Sequence, residues 1–379
     1  MTEDRIKEYN EILSECRRFA RNEIKPGSLE EDLNPDAGWI LGLWQKSHKL
    51  DIPGLMLPEK FNGPGYPEIC SAYALDAMAM ECAGVASFFA HHFAACLAMS
   101  HANDEKSEIV HRVLNRRRST TLPVATVIFP NDSNDPALSL HKETEGLVIN
   151  GKSSLTANPD LSEIYCIFIQ EDLPGHHVSC AIIDKSHPGI RLGEKASLSG
   201  LKAICFQDVI FDQAKISNDA VVAAGEEGKS LFDRFLNVYY GFVAAIAMGT
   251  ARTAFAKALA YAKDRYQFGK KIILHQEIQR MLGSMRMKID MGTAGYIQAF
   301  TANRVNLPGV SADGRLAKAF CTQAALEIVF DAIQIHGGYG YMNEYGLEKI
   351  MRDVKILQLL GGRNPYHHIQ IIAEELKND

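Results

Sequence analysis

Four stretches hold residue types at spacings that suit chemistry. Residues 360–369 read LGGRNPYHHI: a glycine pair ends an apolar helical pattern, then Arg363, Asn364, Pro365 and the adjacent His367 and His368 follow. A glycine elbow between two helices, crowded with polar groups, suits a ligand loop. Residues 86–97 read ASFFAHHFAACL. His91 or His92 suits a general base, because imidazole titrates near neutrality. Helix neighbours point about 100° apart, so only one of the two can face a site. The other reading, which buried histidines more often satisfy, is plain core packing. Residues 264–272, DRYQFGKKI, end a helix with Arg265, Gln267 and Phe268 before Gly269, a helix-ending residue. Residues 334–345, QIHGGYGYMNEY, deliver Gln334 and then Gly337, Gly338 and Gly340. Glycine at that density lets backbone lie against a flat ligand. Taken singly, the last two stretches read as a solvated helix end and a turn.

Composition narrows the classes. The chain has 379 residues, 46% apolar and 23% charged, enough for two or three domains with a sizeable core. Its net charge is -6 and its Lys and Arg residues are dispersed, which speaks against a nucleic-acid partner. The eight Cys residues include no CxxC pair, and none of the three adjacent His pairs is followed by a ligand at metal spacing. No metal is expected, and the thiols fit a reduced, cytoplasmic setting. The N-terminus MTEDRIKEYNEIL lacks the apolar core of a targeting peptide. The longest apolar stretch, residues 241–251, is too short to span a membrane and reads as a helix buried on all sides.

The elements that must position these residues follow from periodicity. Up to about residue 117 apolar residues recur at helical spacing, including EKSEIVHRVLNRR, with a Gly/Pro loop at 57–68. Between about 121 and 216 the segments become short and β-rich, and TEGLVINGKSSL reads as strand, Asn-Gly turn, strand. From residue 226 helices are expected over 228–263, 275–305, 312–335, 345–360 and 365–377. The expected domains are 1–118, helical; 119–224, a β-barrel or sandwich; and 225–379, helical. The class is α+β and multidomain.

The segments DRYQFGKKI, QIHGGYGYMNEY and MRDVKILQLLGG, in this order and spacing, resemble the acyl-CoA dehydrogenase family. That family carries an R-x-Q-F-G segment, a Q-x-x-G-G-x-G-[YF] segment and an R-D-x-K-I helix before its active-site loop. LPEKFNGPGY resembles its first-domain loop. The resemblance implies an N-terminal helical domain, a central β-barrel and a C-terminal four-helix bundle. It also implies FAD. Arg265, Gln267 and Phe268 fall where the family grips the FAD of a neighbouring subunit. Gln334, Gly337 and Gly338 fall where it cradles the adenylate end, and Thr156 falls beside the flavin ring. A homodimer or homotetramer follows, with an electron-transfer flavoprotein as a further partner.

The departures bear on the chemistry. IFPNDSND (128–135) keeps Pro130, Ser133 and Asp135 of the family's T-E-P-x-x-G-S-D, but Ile128 and Phe129 replace Thr-Glu, and Ser154 replaces an aromatic residue. Aligning RDVKILQLL with the family's helix puts Gly361 where the catalytic Glu stands and Arg363 where a Thr follows. The family's alternative base position holds Tyr239, with Tyr240 next to it. Both base positions therefore lack a carboxylate, a loss of roughly 10²–10⁴-fold if nothing replaces it. His91 or His92 is the candidate replacement. Tyr239 would need a strongly lowered pKa, and His367 and His368 are expected at the surface or against FAD. Arg363 suits the FAD pyrophosphate or an acidic acyl tail. A Gly361→Glu change is expected to return part of the activity unless Gly361 needs a positive φ. Two functions remain open. One is a flavoenzyme on an acyl-CoA or acyl-carrier-protein thioester, performing dehydrogenation with a relocated base or a redox-neutral variant such as desulfination. The other is a non-catalytic, half-site subunit of a heteromeric dehydrogenase.

Overall fold

A computed structural model describes residues 3–102, 110–111, 114, 122–130, 138–143, 146–171, 177–305 and 313–376. Ser133, Asp135 and most of the helical pattern EKSEIVHRVLNRR lie outside these residues. The chain begins with helices α1 (Glu3–Phe19), α2 (Ser28–Leu33), α3 (Ala37–Ser47), α4 (Glu68–Ala79) and α5 (Ala83–Ser100). α3 starts where the Asp36 carboxylate accepts the Gly38 N–H at 2.8 Å, a side-chain N-cap. α5 has no charged residue, and everything from Ala83 to Met99 is buried. A helix apolar on every side has to lie inside the fold.

Among the described residues eight strands follow: β1 (Ala125–Ile128), β2 (Ser139–Glu143), β3 (Gly146–Ala157), β4 (Ile164–Glu171), β5 (Val178–Asp184), β6 (Ile190–Lys195), β7 (Phe206–Ile216) and β8 (Val221–Ala223). They form one sheet in the order β6-β7-β3-β2-β4-β5-β8, with β1 parallel to β4 off that path. The period-two alternation of β4 sends Tyr165, Ile167 and Ile169 into a core made by the sheet alone. Ile164, Cys166 and Phe168 go into the main core shared with the helices. Burial on both faces explains why this strand is almost wholly apolar. Asn150-Gly151 is not a turn. It lies inside the continuous strand β3, at a register shift against β7, and the reversal comes earlier, between Glu143 and Gly146.

Helices resume with α6 (Gly225–Asp264), α7 (Gln276–Val305), α8 (Gly314–His336), α9 (Leu347–Leu357) and α10 (Asn364–Glu375). The fold is therefore helical, then β, then helical, as the class expectation had it. α6 packs against α4, α5, α7, α8 and α9, and its residues 241–251 are all buried. α5 and α6 are long and apolar enough to cross a membrane, but both are core helices here. α9 stops at Leu357, three residues short of its expected end, because Gln358–Leu360 already turn toward the glycine pair. None of the eight cysteines forms a disulfide.

Arg352 and Asp353 tie α9 to the rest of the chain. The Arg352 guanidinium reaches the Asp32 carboxylate at 2.5 Å and Glu348 at 2.7 Å. Asp353 accepts the Leu201 N–H at 2.6 Å and pairs with Lys349 at 2.6 Å. Both residues are structural, and they hold the start of the 358–363 turn in place.

Candidate functional site

A cavity of about 470 Å³ opens where the ends of β1 and β3 meet α5, α6 and the 359–363 turn. β1 ends on Ile128 and Phe129. β3 supplies Ser153 to Ala157, with Leu155 bulged out at φ 52°. That bulge keeps Thr156 on the cavity side, buried, with its hydroxyl 3.1 Å from that of Ser153. His91 and Tyr239 form the inner wall, and Gly361, Gly362 and Arg363 close the other side. Arg363 is exposed at the rim. Phe129 replaces polarity with an aromatic wall, packing edge-on against Phe235 and Tyr239 with centroids at 5.0 and 5.3 Å.

The adjacent histidines part company, as helical geometry requires. His92 faces away from the cavity. One ring nitrogen lies 3.1 Å from the Pro53 carbonyl and the other accepts the Ala125 N–H at 3.2 Å. A fully engaged imidazole joining α5 to β1 and to the Pro53 turn is a packing residue, so His92 is withdrawn as a candidate base. His91 lines the cavity. Its Nδ1 is 2.7 Å from the Ser87 carbonyl, and its Nε2 is 2.9 Å from the Tyr239 hydroxyl. Burial lowers His91 to about 4 and pushes the Tyr239 phenol up, so both are neutral at pH 7. Neither the lowered Tyr239 pKa nor a surface place for His367 is found. His367 is fully buried, its ring 4.8 Å from that of Tyr240, and only His368 is exposed.

Gly361 has φ 68°, and a Cβ there would lie 2.8 Å from Tyr240 Cε1 and 3.0 Å from Tyr239 Cε1. The rings at the second base position thus fill the space that a side chain at the first would need. Gly361 therefore meets the exception attached to the Gly361→Glu expectation: its φ is positive, and the packing leaves a side chain no room.

Lys318 gave no signal in the sequence, where it reads as one more cation on an amphipathic helix. It is fully buried on α8. Its ammonium donates to the carbonyls of Gln358 at 2.9 Å and Gly362 at 2.5 Å, and to Asn364 Oδ1 at 3.0 Å. Three acceptors match its three protons, and together they hold the turn that carries Gly361. Lys318→Met should take the donor away from the Gln358 and Gly362 carbonyls, lowering stability by about 2 kcal/mol. Hydrogen exchange should rise first in residues 358–364; exchange unchanged there would refute the assignment.

A second cleft, of about 700 Å³, lies at the far end of α6. Arg265, Gln267 and Phe268 line it together with Gln334, Gly337 and Gly338. The two groups were expected from different subunits, but one chain brings both to one cleft, because α6 and α8 end side by side. Tyr261 of this cleft is 22 residues beyond Tyr239, roughly 33 Å along the helix at 1.5 Å per residue. Phe268 has φ 50° and is 91% exposed, and no atom lies within 4 Å of a Cβ built on Gly337 or Gly338. Arg265 stands 5.8 Å from the Tyr339 ring centroid. An aromatic surface, a guanidinium and bare backbone suit a flat ring joined to an anion. Among the described residues no group of three His, Cys, Asp or Glu side chains is placed to hold a metal ion.

The family model described as acyl-CoA dehydrogenase, N-terminal domain, matches residues 7–114, and the one described as acyl-CoA dehydrogenase, C-terminal domain, matches residues 226–377. An acyl-CoA dehydrogenase of Bacillus subtilis is 28% identical over 363 residues, 94% of each chain. The structure of butyryl-CoA dehydrogenase from Megasphaera elsdenii superposes with a TM-score of 0.84 at 24% identity, covering 99% of both chains. The FAD complex of PigA superposes with a TM-score of 0.85 at 20% identity, covering 100% of this chain and 98% of that one. At these identities the two structures establish the fold.

Proposed function

This chain belongs to the acyl-CoA dehydrogenase family, and on that premise we propose that it is an FAD-dependent enzyme acting on an acyl thioester carried by CoA or an acyl-carrier protein. The observation that carries this reading is the second cleft, where two segments distant in sequence converge. It fits the ADP half of FAD. Gly337 and Gly338 leave backbone open to the adenine, and Arg265 offers charge-assisted bonds to the pyrophosphate. The exposed, left-handed Phe268 makes sense as a residue that covers a ligand or a neighbouring chain.

The flavin ring belongs in the other cavity, beside Thr156 and Arg363. The residues that line the two clefts stand roughly 33 Å apart along α6 at 1.5 Å per residue, so one cofactor would take its two halves from two chains. Both halves exist in this chain, so a copy of itself completes the site, and a homodimer or homotetramer is favoured over a half-site role beside a different subunit. Exposed apolar residues support self-association: Met287 and Met291 lie one turn apart on α7, as do Leu316 and Phe320 on α8.

When bound, FAD supplies hydride exchange at the acyl β-carbon. The chain's own residues do the rest. Ile128, Phe129, Leu198 and Phe206 exclude water and hold the acyl chain. The backbone N–H of Gly361 is available to the thioester carbonyl. No carboxylate is among the described residues that line the cavity, so the α-proton needs another acceptor. The neutral His91–Tyr239 pair on the cavity wall supports the reading of a relocated base.

The purified protein should be yellow and at least dimeric. In FAD titrations of the apoprotein, Arg265→Ala should weaken binding roughly 10- to 100-fold, the loss of a charged hydrogen bond. Unaltered affinity would sink the cofactor assignment. A flavin spectrum indifferent to every acyl-CoA and acyl-pantetheine tried would sink the substrate class.

A further inference from the structure

We propose that Tyr239 and His91 act as one proton-transfer unit: Tyr239 Oη takes the α-proton of the thioester while its own proton passes to His91 Nε2. The proposal rests on the acyl-thioester reading above.

The geometry sets the direction of each bond. A carbonyl only accepts, so the 2.7 Å contact with Ser87 puts the neutral imidazole's proton on Nδ1. Nε2 then presents its lone pair, and the 2.9 Å bond must run from the Tyr239 hydroxyl to it. The phenol oxygen keeps its own lone pairs for another donor. Both residues line the cavity, and Tyr239 is held there by stacking on Phe235, with centroids 5.8 Å apart and planes at 20°.

In the step, the Cα–H bond breaks and its proton bonds to Oη. The Oη–H bond breaks and that proton bonds to Nε2. The C–H electron pair stays with the acyl group as the thioester enolate. Tyr239 is neutral before and after, and His91 becomes an imidazolium whose Nδ1–H still rests on Ser87. No tyrosinate forms, which agrees with a phenol whose burial raises its pKa. Burial lowers His91 to about 4, which leaves Nε2 unprotonated across the neutral range but makes it a weak base, so the enolate charge that develops beside it has to stabilise the imidazolium.

Few other ionisable groups face the pair. α6 offers Tyr240, whose ring centroid is 6.5 Å from that of Tyr239, and the 359–363 turn offers Arg363 at the rim. The end of β1 brings only Val127, Ile128 and Phe129, and α5 brings no ionisable cavity residue besides His91. With Gly361 closed to any side chain by the rings of Tyr239 and Tyr240, a carboxylate cannot enter from that side. The pair occupies the wall that a family base would use.

The test is deuterium uptake from D₂O at Cα of 3-thiabutyryl-CoA, which can lose an α-proton without net oxidation, on the FAD-loaded protein. Tyr239→Phe keeps the stacked ring and should slow exchange about 100-fold, as should His91→Gln. Should Tyr239→Phe fail to fold, Tyr239→3-fluorotyrosine acidifies the phenol at constant shape and should change the rate. Independently of turnover, ¹⁵N NMR of the apoprotein should show His91 as the Nδ1–H tautomer, with its Nε2 resonance moved by Tyr239→Phe. A merely structural tyrosine would lower the melting temperature and leave exchange intact, which overturns the relay. Exchange lost in His91→Gln but intact in Tyr239→Phe makes His91 act alone and overturns it too. No exchange in the parent overturns the acyl-thioester reading itself, and the His91 resonance then separates that failure from an absent hydrogen bond.

Discussion

Gly361→Glu should lower stability by about 3 kcal/mol, because a left-handed backbone and an overpacked site each add roughly 1–3 kcal/mol. It should not speed dehydrogenation. The backbone at Gly361 has φ 68°, and its first side-chain carbon would lie 2.8 Å from Tyr240 and 3.0 Å from Tyr239. Gly361→Ala should show most of the same loss, since strain and crowding begin at Cβ. A Gly361→Ala, Tyr240→Leu double variant should lose less than the sum of its parts, because the nearest obstructing ring is gone. Urea unfolding measures the first three values, and anaerobic mixing with butyryl-CoA measures the flavin. A Gly361→Glu protein as stable as the parent, with faster flavin reduction, would mean that the turn can move aside and that the pair of rings does not bar the position.

Asp76→Ala should destabilise the protein by roughly 3–5 kcal/mol, the usual consequence of removing one partner from a buried ion pair. Asp76 on α4 accepts both of its short bonds from Arg252 Nη1 on α6, each 2.5 Å, and a third from the Tyr296 hydroxyl on α7 at 2.7 Å. The other guanidinium nitrogen donates to Thr293 at 2.5 Å. One carboxylate thus ties the first helical region to two helices of the last. Without it the half-buried guanidinium and the buried phenol lose their acceptor. A Asp76→Leu, Arg252→Met double variant removes both charges together and should recover much of the loss. Equal melting temperatures for Asp76→Ala and the parent would show that water already satisfies these groups.

The two segments that meet in the second cleft stood out in the sequence because each is local. Arg265, Gln267 and Phe268 lie within four residues of one another, and Gln334, Gly337 and Gly338 within five. Their separate meanings did not depend on where the chain goes in between. How they combine did depend on it, and the division between subunits was misplaced for that reason. Asn150-Gly151 misled as a turn because its neighbours pair with β7, a strand that comes much later. Lys318 was silent because a lysine on a helix is usually solvated, and only docking of the 358–364 turn over α8 turns it into a buried clamp.

By itself the sequence determined the order helical, β, helical, the helices' approximate extents, and the absence of a carboxylate at Gly361 and Tyr239. Periodicity and residue identity are properties of short stretches, and they survive any arrangement of those stretches. It also determined that one of His91 and His92 would turn from the site, since a helix separates neighbours by about 100°. Which one turned away was decided only when α5 crossed α6. That crossing set His91 against Tyr239, 148 residues apart, and closed the space above Gly361 with two aromatic rings. Contacts at such separation arise from long-range packing, and no pattern within either helix records them.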